Sequence, residues 1–255
     1  MKSILIPGTD DSRMRYHDLL GDGPPLIVIH GLGCASSCDY PAVASDPALS
    51  GRRMLLVDLL GSGFRDRPQQ FGYAVADHAT CVVALIEQLD LPAVNLFGHS
   101  MGGAIAIEAA MRLQGRLRRL VVSEPNLVPG GGVFSRRLAA NPEAAYVATG
   151  HRAVTVSSRN DGGDVWAASM AVSAPFAVYR AATSLVAGSD PSWGDLLMGL
   201  DVPRSLIIGE RSLPYADTEG LPEAGVSIRI VPAAGHSMAV ENPSGLAKAI
   251  SDSLA

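Results

Sequence analysis

The chain has 255 residues, of which 47% are hydrophobic and 18% charged, and its net charge is −5. The length fits one large domain, or one domain with a modest insertion. The apolar fraction excludes disorder as the dominant state, and the acidic balance argues against a nucleic-acid backbone as the main ligand.

In chain order, short apolar runs bounded by turn residues fall at 25–29, 54–57, 94–97 and 117–122. Each has the length of a buried strand. Between them, 75–89 carries Val75, Ala79, Val82, Val83 and Ile86 on one helical face, and 100–113 is a second helix rich in Ala and Ile. Strands alternating with helices predict crossover units and a mostly parallel sheet. The alternation stops after Pro125. Residues 126–200 read as Ala-rich helices at 138–147, 165–173 and 176–187, with joints at Gly130-Gly131-Gly132 and Gly162-Gly163. Strands resume at 204–208 and 226–231, and Pro243 starts a last helix over 244–254. The expectation is an α/β core of 1–125 and 201–255 with a helical insertion of 126–200.

Cys34, Cys38 and Cys81 are odd in number, so a disulfide framework is not expected, and Cys34 and Cys38 lack the second ligand pair of a zinc site. Residues 1–15 hold Asp10 and Asp11 with no apolar stretch, and no run of about 18 apolar residues occurs. The default expectation is a cytoplasmic monomer or homodimer with a small-molecule substrate and no nucleic-acid or membrane partner.

Gly98-His99-Ser100-Met101-Gly102-Gly103 contains G-x-S-x-G. In a glycine-rich chain that pattern alone is weak, but it directly follows one predicted strand and directly precedes a helix. Such a sharp turn lifts a serine hydroxyl clear of the sheet, and the helix N-terminus beside it favours developing negative charge. Ser100 is therefore the candidate nucleophile and the Met101 N–H the first oxyanion donor. His30-Gly31-Leu32-Gly33 follows the strand at 25–29, where the second donor belongs, and the Leu32 N–H is assigned to it. His30 is expected to hold that loop rather than to act as a base.

The four blocks HGLG at 30–33, DLLGSGFRDRP at 58–68, GHSMGG at 98–103 and AGHSMAVENP at 234–243 resemble the α/β-hydrolase superfamily. The resemblance implies a mostly parallel sheet flanked by helices, a small helical cap after the sixth strand, and a serine-nucleophile, esterase-like member. The second block departs from the commoner family form at Leu60, Ser62 and Arg65, which is expected to alter loop shape and substrate preference. The family's order of nucleophile, acid and histidine leaves His151 and His236 as bases, and His236 lies just past the last strand.

The acid is open. The family position, three residues beyond Gly209, holds Ser212. Glu124 at the end of the 117–122 strand is the first choice. Asp217 and Glu210 are alternatives, and a Ser–His dyad without an acid is a third. The resemblance implies ester hydrolysis through an acyl-enzyme, with no cofactor and no metal. Phe134, Trp166, Met170, Phe176 and Tyr179 are expected to line an apolar acyl pocket. Carbon–carbon bond hydrolase, thioesterase, lactonase and non-catalytic binding readings stay open, whereas a serine at the elbow argues against the dehalogenase and epoxide hydrolase chemistries that use aspartate there.

Overall fold

The apolar runs become strands whose side chains are buried on both faces. A computed structural model describes residues 1–255 apart from Asp10, Phe64, Arg65 and Gln114. The loop change expected at Arg65 thus lies outside the described residues. The strands are β1 (Lys2–Leu5), β2 (Arg13–Leu19), β3 (Asp22–Ile29), β4 (Arg52–Asp58), β5 (Val94–His99), β6 (Leu117–Ser123), β7 (Arg204–Gly209) and β8 (Val226–Val231). They form one sheet in the order β1-β2-β4-β3-β5-β6-β7-β8. β2 pairs antiparallel with β1 and with β4, and all other neighbours pair parallel. The principal helices are α1 (Val75–Gln88), α2 (Met101–Arg112), α3 (Val133–Ala139), α4 (His151–Asn160), α5 (Asp164–Ala171), α6 (Pro175–Ala187), α7 (Trp193–Gly199) and α8 (Pro243–Ser253).

The two-residue period of a strand divides each run between two cores. Ile27, Ile29, Leu55, Val57, Leu96 and Val122 join the core under α1 and α2. Leu26, Val28, Met54, Leu56, Phe97 and Val121 face Leu246, Ala247 and Ile250 of α8. A run such as LIVI at 26–29 is therefore continuous because both faces of its strand are covered. β1 and β2 were not expected. β2 buries only Met14 and Tyr16, alternating with Arg13, Arg15 and His17, so it offers no continuous run.

Between β6 and β7 the expected helix at 138–147 is broken. α3 ends at Ala139, Pro142 caps a short turn at Glu143–Ala145, and α4 begins at His151. α4 was not expected, because it buries only His151 and Val154. α7 was also missed. Ser192 and Asp195 cap it reciprocally, and Trp193 is buried with its indole N–H donating to Glu108 of α2 at 3.1 Å. Among the described residues no single helix is long and apolar enough to cross a membrane.

Candidate active site

The sheet order sets β3 and β5 side by side, with Ile29 opposite Gly98. The loops that leave β3, β5, β6 and β7 therefore start from one edge of the sheet, the carboxyl ends of its parallel strands. Ser100 turns the chain from β5 into α2 at φ 53°, ψ −121°. A non-glycine residue in that region is strained by about 1–3 kcal/mol. Backbone hydrogen bonds hold it there: the Ser100 N–H donates to the Ser123 carbonyl, and the Gly103 N–H donates to the Ser100 carbonyl, both at 2.9 Å. The flanking glycines are steric requirements. A Cβ on Gly98 would lie 2.1 Å from the Gly102 carbonyl oxygen, and one on Gly102 would lie 2.3 Å from that of Ile29.

The loop after β3 is fastened by His30. Its Nδ1–H donates to the Gly31 carbonyl at 2.8 Å, and its Nε2 accepts the Leu59 N–H at 3.1 Å. A carbonyl can only accept and an amide N–H can only donate, which fixes the tautomer. The Cys34 N–H also donates to the Gly31 carbonyl, at 3.2 Å, and Gly33 sits at φ +70°. The left-handed third residue makes 31–34 a type II turn. C=O and N–H point oppositely across a trans peptide, so the Leu32 N–H faces away from His30. Leu32 lines the site cavity. Met101 is the first residue of α2, where a backbone N–H has no acceptor within its own helix.

Glu124 follows β6 at φ 40° and is buried. Its N–H donates to the Ile207 carbonyl at 3.1 Å. The carboxylate accepts the Gly209 N–H at 2.9 Å on Oε1 and bonds His236 Nδ1 at 2.6 Å through Oε2. Burial works to raise its pKa. The hydrogen bonds from His236, Gly209 and Ser212 outweigh that and hold it below the ordinary 4.5. Ser212, at the usual acid position, thus supports a carboxylate supplied by the neighbouring strand. Gly209 is also where the histidine loop crosses β7, and a Cβ there would lie 2.5 Å from the Gly235 carbonyl oxygen. Of the other sequence candidates, Glu210 turns away to accept the Ala233 N–H at 2.7 Å, and Asp217 is exposed. His151 lies between Tyr146 and the Met170 carbonyl.

Ser100, Glu124, His236 and Leu32 line one cavity of about 580 Å³. Of the five expected wall residues, Phe134 and Trp166 line it, with ring centroids 5.1 Å apart. The other three do not. Met170 is fully buried in an inner cluster with Tyr146 and Val178. Phe176 packs edge-on against Tyr73 beneath the Arg180 guanidinium. Tyr179 stacks near Tyr146 and donates to the Asn141 carbonyl at 2.7 Å. Helical periodicity alone did not reveal which of these faces the helices bury.

His99 and Tyr215 also line the cavity, and neither stands out in the sequence. The half-buried His99 ring sits 4.7 Å from that of His236, with Nδ1 2.9 Å from the Ser123 hydroxyl. Burial and then the neighbouring His236 push its pKa down to about 3, so it stays neutral. Tyr215 donates to the Pro125 carbonyl at 2.9 Å and steadies the turn that carries Glu124. Its signal was slight, a lone tyrosine three residues past the expected acid position. Among the described residues no group of three or more His, Cys, Asp or Glu could hold a metal ion.

Comparison with known proteins agrees with this architecture. The chain is 35% identical over 107 residues to a 2-hydroxy-6-oxo-2,4-heptadienoate hydrolase of Pseudomonas putida, covering 42% of this chain and 38% of that protein. It is 36% identical over 115 residues to a 2-hydroxymuconate semialdehyde hydrolase of a Pseudomonas species, covering 43% and 39%. The matched stretch thus spans about two fifths of these relatives' length. In three dimensions it resembles an esterase from Exiguobacterium antarcticum, with a TM-score of 0.82, 18% identity and 99% of each chain covered. It also resembles a thermophilic esterase from Thermogutta terrifontis, with a TM-score of 0.78, 22% identity and 99% and 97% covered. Residues 24–196, more than half of the chain, match the alpha/beta hydrolase fold family, and the chain belongs to that family.

Proposed function

We propose that the protein hydrolyses carboxylic esters of small or medium, mainly apolar substrates through an acyl-enzyme on Ser100. The observation that carries this reading is the 2.6 Å contact between buried Glu124 and His236 Nδ1, in a cavity shared with the strained Ser100. With Nδ1–H held by the carboxylate, the His236 proton is confined to Nδ1 and Nε2 is left as the base. His236 takes the Ser100 hydroxyl proton as the oxygen attacks the ester carbonyl. The Leu32 and Met101 N–H groups stabilise the resulting oxyanion. Collapse expels the alcohol, which takes the proton from His236. Water, activated by the same ring, then releases the carboxylic acid and restores Ser100. The ionised Glu124 stabilises the imidazolium that forms in each half. The helices between β6 and β7 act as a cap, with Phe134 and Trp166 as an apolar wall for the acyl group. A cavity of this size lies within the range of small-molecule sites.

A second reading, hydrolysis of a carbon–carbon bond on the same serine, rests on the likeness to the 2-hydroxymuconate semialdehyde hydrolase. The test is turnover of p-nitrophenyl esters from acetate to octanoate, by the wild type and Ser100→Ala. Turnover that peaks at short or medium chains and is lost in Ser100→Ala is expected. Ester turnover that persists in Ser100→Ala excludes the acyl-enzyme. Cleavage confined to a 2-hydroxy-6-oxo-dienoate selects the second reading.

A further inference from the structure

The Trp166 indole N–H donates to the Leu32 carbonyl at 2.9 Å, a contact that joins α5 to the loop assigned to the oxyanion. The approach is close. A Cβ on Gly33 would lie 2.2 Å from Met170 Sδ and 3.3 Å from Trp166 Nε1, so α5 rests on the turn with no space for a methyl group. α5 is itself braced from behind. The His151 Nε2–H donates to the Met170 carbonyl at 2.8 Å, and His151 Nδ1 accepts from the Tyr146 hydroxyl at 3.0 Å.

The Leu32 carbonyl belongs to the central peptide of the 31–34 turn. Type I and type II turns differ by a flip of that peptide. In the type II form present here the carbonyl meets the indole N–H. The flipped form would turn the Gly33 N–H toward the indole, donor against donor. Trp166 therefore selects one of the two forms, and with it the setting of the Leu32 residue whose N–H meets the oxyanion. The same side chain lines the cavity beside Phe134.

We propose that Trp166 is a positioning residue, which locks the oxyanion turn from the cap side while His30 locks it from the sheet side. An apolar acyl group resting on the indole ring thereby holds the donor that its own carbonyl needs. This inference rests on the acyl-transfer reading of the site.

Trp166→Phe keeps an aromatic wall and removes the donor. With p-nitrophenyl butyrate, kcat is expected to fall about tenfold while KM stays within about twofold, the scale of one lost positioning hydrogen bond. Affinity for phenylboronic acid, which forms a tetrahedral adduct on a serine, falls by the same factor. Trp166→Leu lowers kcat alike and also raises KM, since the wall is lost. Trp166→His restores a ring N–H and regains part of the kcat, which a purely structural defect would not allow. Unchanged kcat and boronate affinity in Trp166→Phe overturn the proposal, as does a change in KM alone. Wild-type turnover no greater than that of Ser100→Ala instead removes the acyl-transfer reading, so the two failures are distinct.

Discussion

Replacing Glu124 by Gln keeps the side-chain shape and removes the charge. The carboxylate has two orthogonal duties, accepting Gly209 N–H on Oε1 and His236 Nδ1–H on Oε2. An amide cannot meet both. With its oxygen toward Gly209, its NH2 faces His236 and drives the ring proton to Nε2, the nitrogen that must accept from Ser100. With its oxygen toward His236, the NH2 confronts the Gly209 N–H, donor against donor. Either way the imidazolium loses its counter-charge. Loss of the charge and of the correct tautomer costs on the order of 10³–10⁴ in kcat, about 4–5.5 kcal/mol of transition-state stabilisation. The assay is steady-state hydrolysis of p-nitrophenyl acetate by wild type, Glu124→Gln and Asp217→Asn, with far-UV circular dichroism to confirm folding. Glu124→Gln is expected to lose at least a thousandfold in kcat while Asp217→Asn stays within about twofold. A Glu124→Gln enzyme within tenfold of wild type, or a collapse confined to Asp217→Asn, rules out Glu124 as the acid. The same carboxylate contributes to stability with a definite sign. Its folded pKa lies below the ordinary 4.5, so the unfolded chain takes up the proton first as pH falls. Its contribution is present above that value and is lost as pH falls through the folded pKa. The stability gap between wild type and Glu124→Gln should therefore narrow in acid titrations by urea unfolding.

Three further outcomes follow from particular contacts. Gly102→Ala would drive a methyl group to 2.3 Å from the Ile29 carbonyl oxygen and 2.5 Å from that of His30. The backbone must move, and urea unfolding should show a loss of about 3 kcal/mol. His78 is buried among Phe71 and Tyr73, and burial, with His30 adding to it, pushes its pKa down to about 3. The unfolded chain protonates below 6.5 and the folded one does not, so wild-type stability falls across that window by up to about 1.4 kcal/mol per pH unit. His78→Phe should flatten that slope between pH 6.5 and pH 4 in thermal melts. Trp193→Ala empties the contact between α7 and α2 and leaves Glu108 with Arg112 but without the indole N–H. It should destabilise by about 3–5 kcal/mol, read from chemical denaturation.

Much of the architecture was legible because the inner parallel strands are covered on both faces and so leave continuous apolar runs. The elbow was legible for a related reason, since Gly98 and Gly102 are demanded by backbone approaches of 2.1 and 2.3 Å that no side chain survives. β1 and β2 left little trace, since the antiparallel edge of the sheet buries one side chain in β1 and two in β2. α4 was hidden by its polar composition and α7 by its brevity. Glu124 could be put first from its place at the strand end before Pro125, with Glu210 and Asp217 left as alternatives. That choice depends on where three separate loops meet, and contacts 112 residues apart carry no local pattern. The cavity wall was half legible for the same reason. Phe134 and Trp166 are aromatic residues on helices, and so are Phe176 and Tyr179, and only the packing of α6 against Tyr73 and Tyr146 sorts them.

On the proposed reading, Ser100 is a nucleophile activated through His236 and Glu124. The most direct test is the site and rate of modification by a fluorophosphonate probe, followed by intact mass and peptide mapping of the folded protein. A single adduct on Ser100 is predicted, absent from Ser100→Ala and formed at least a hundredfold more slowly in Glu124→Gln. An unmodified wild-type protein, or an adduct on a different serine, would exclude Ser100 as the nucleophile.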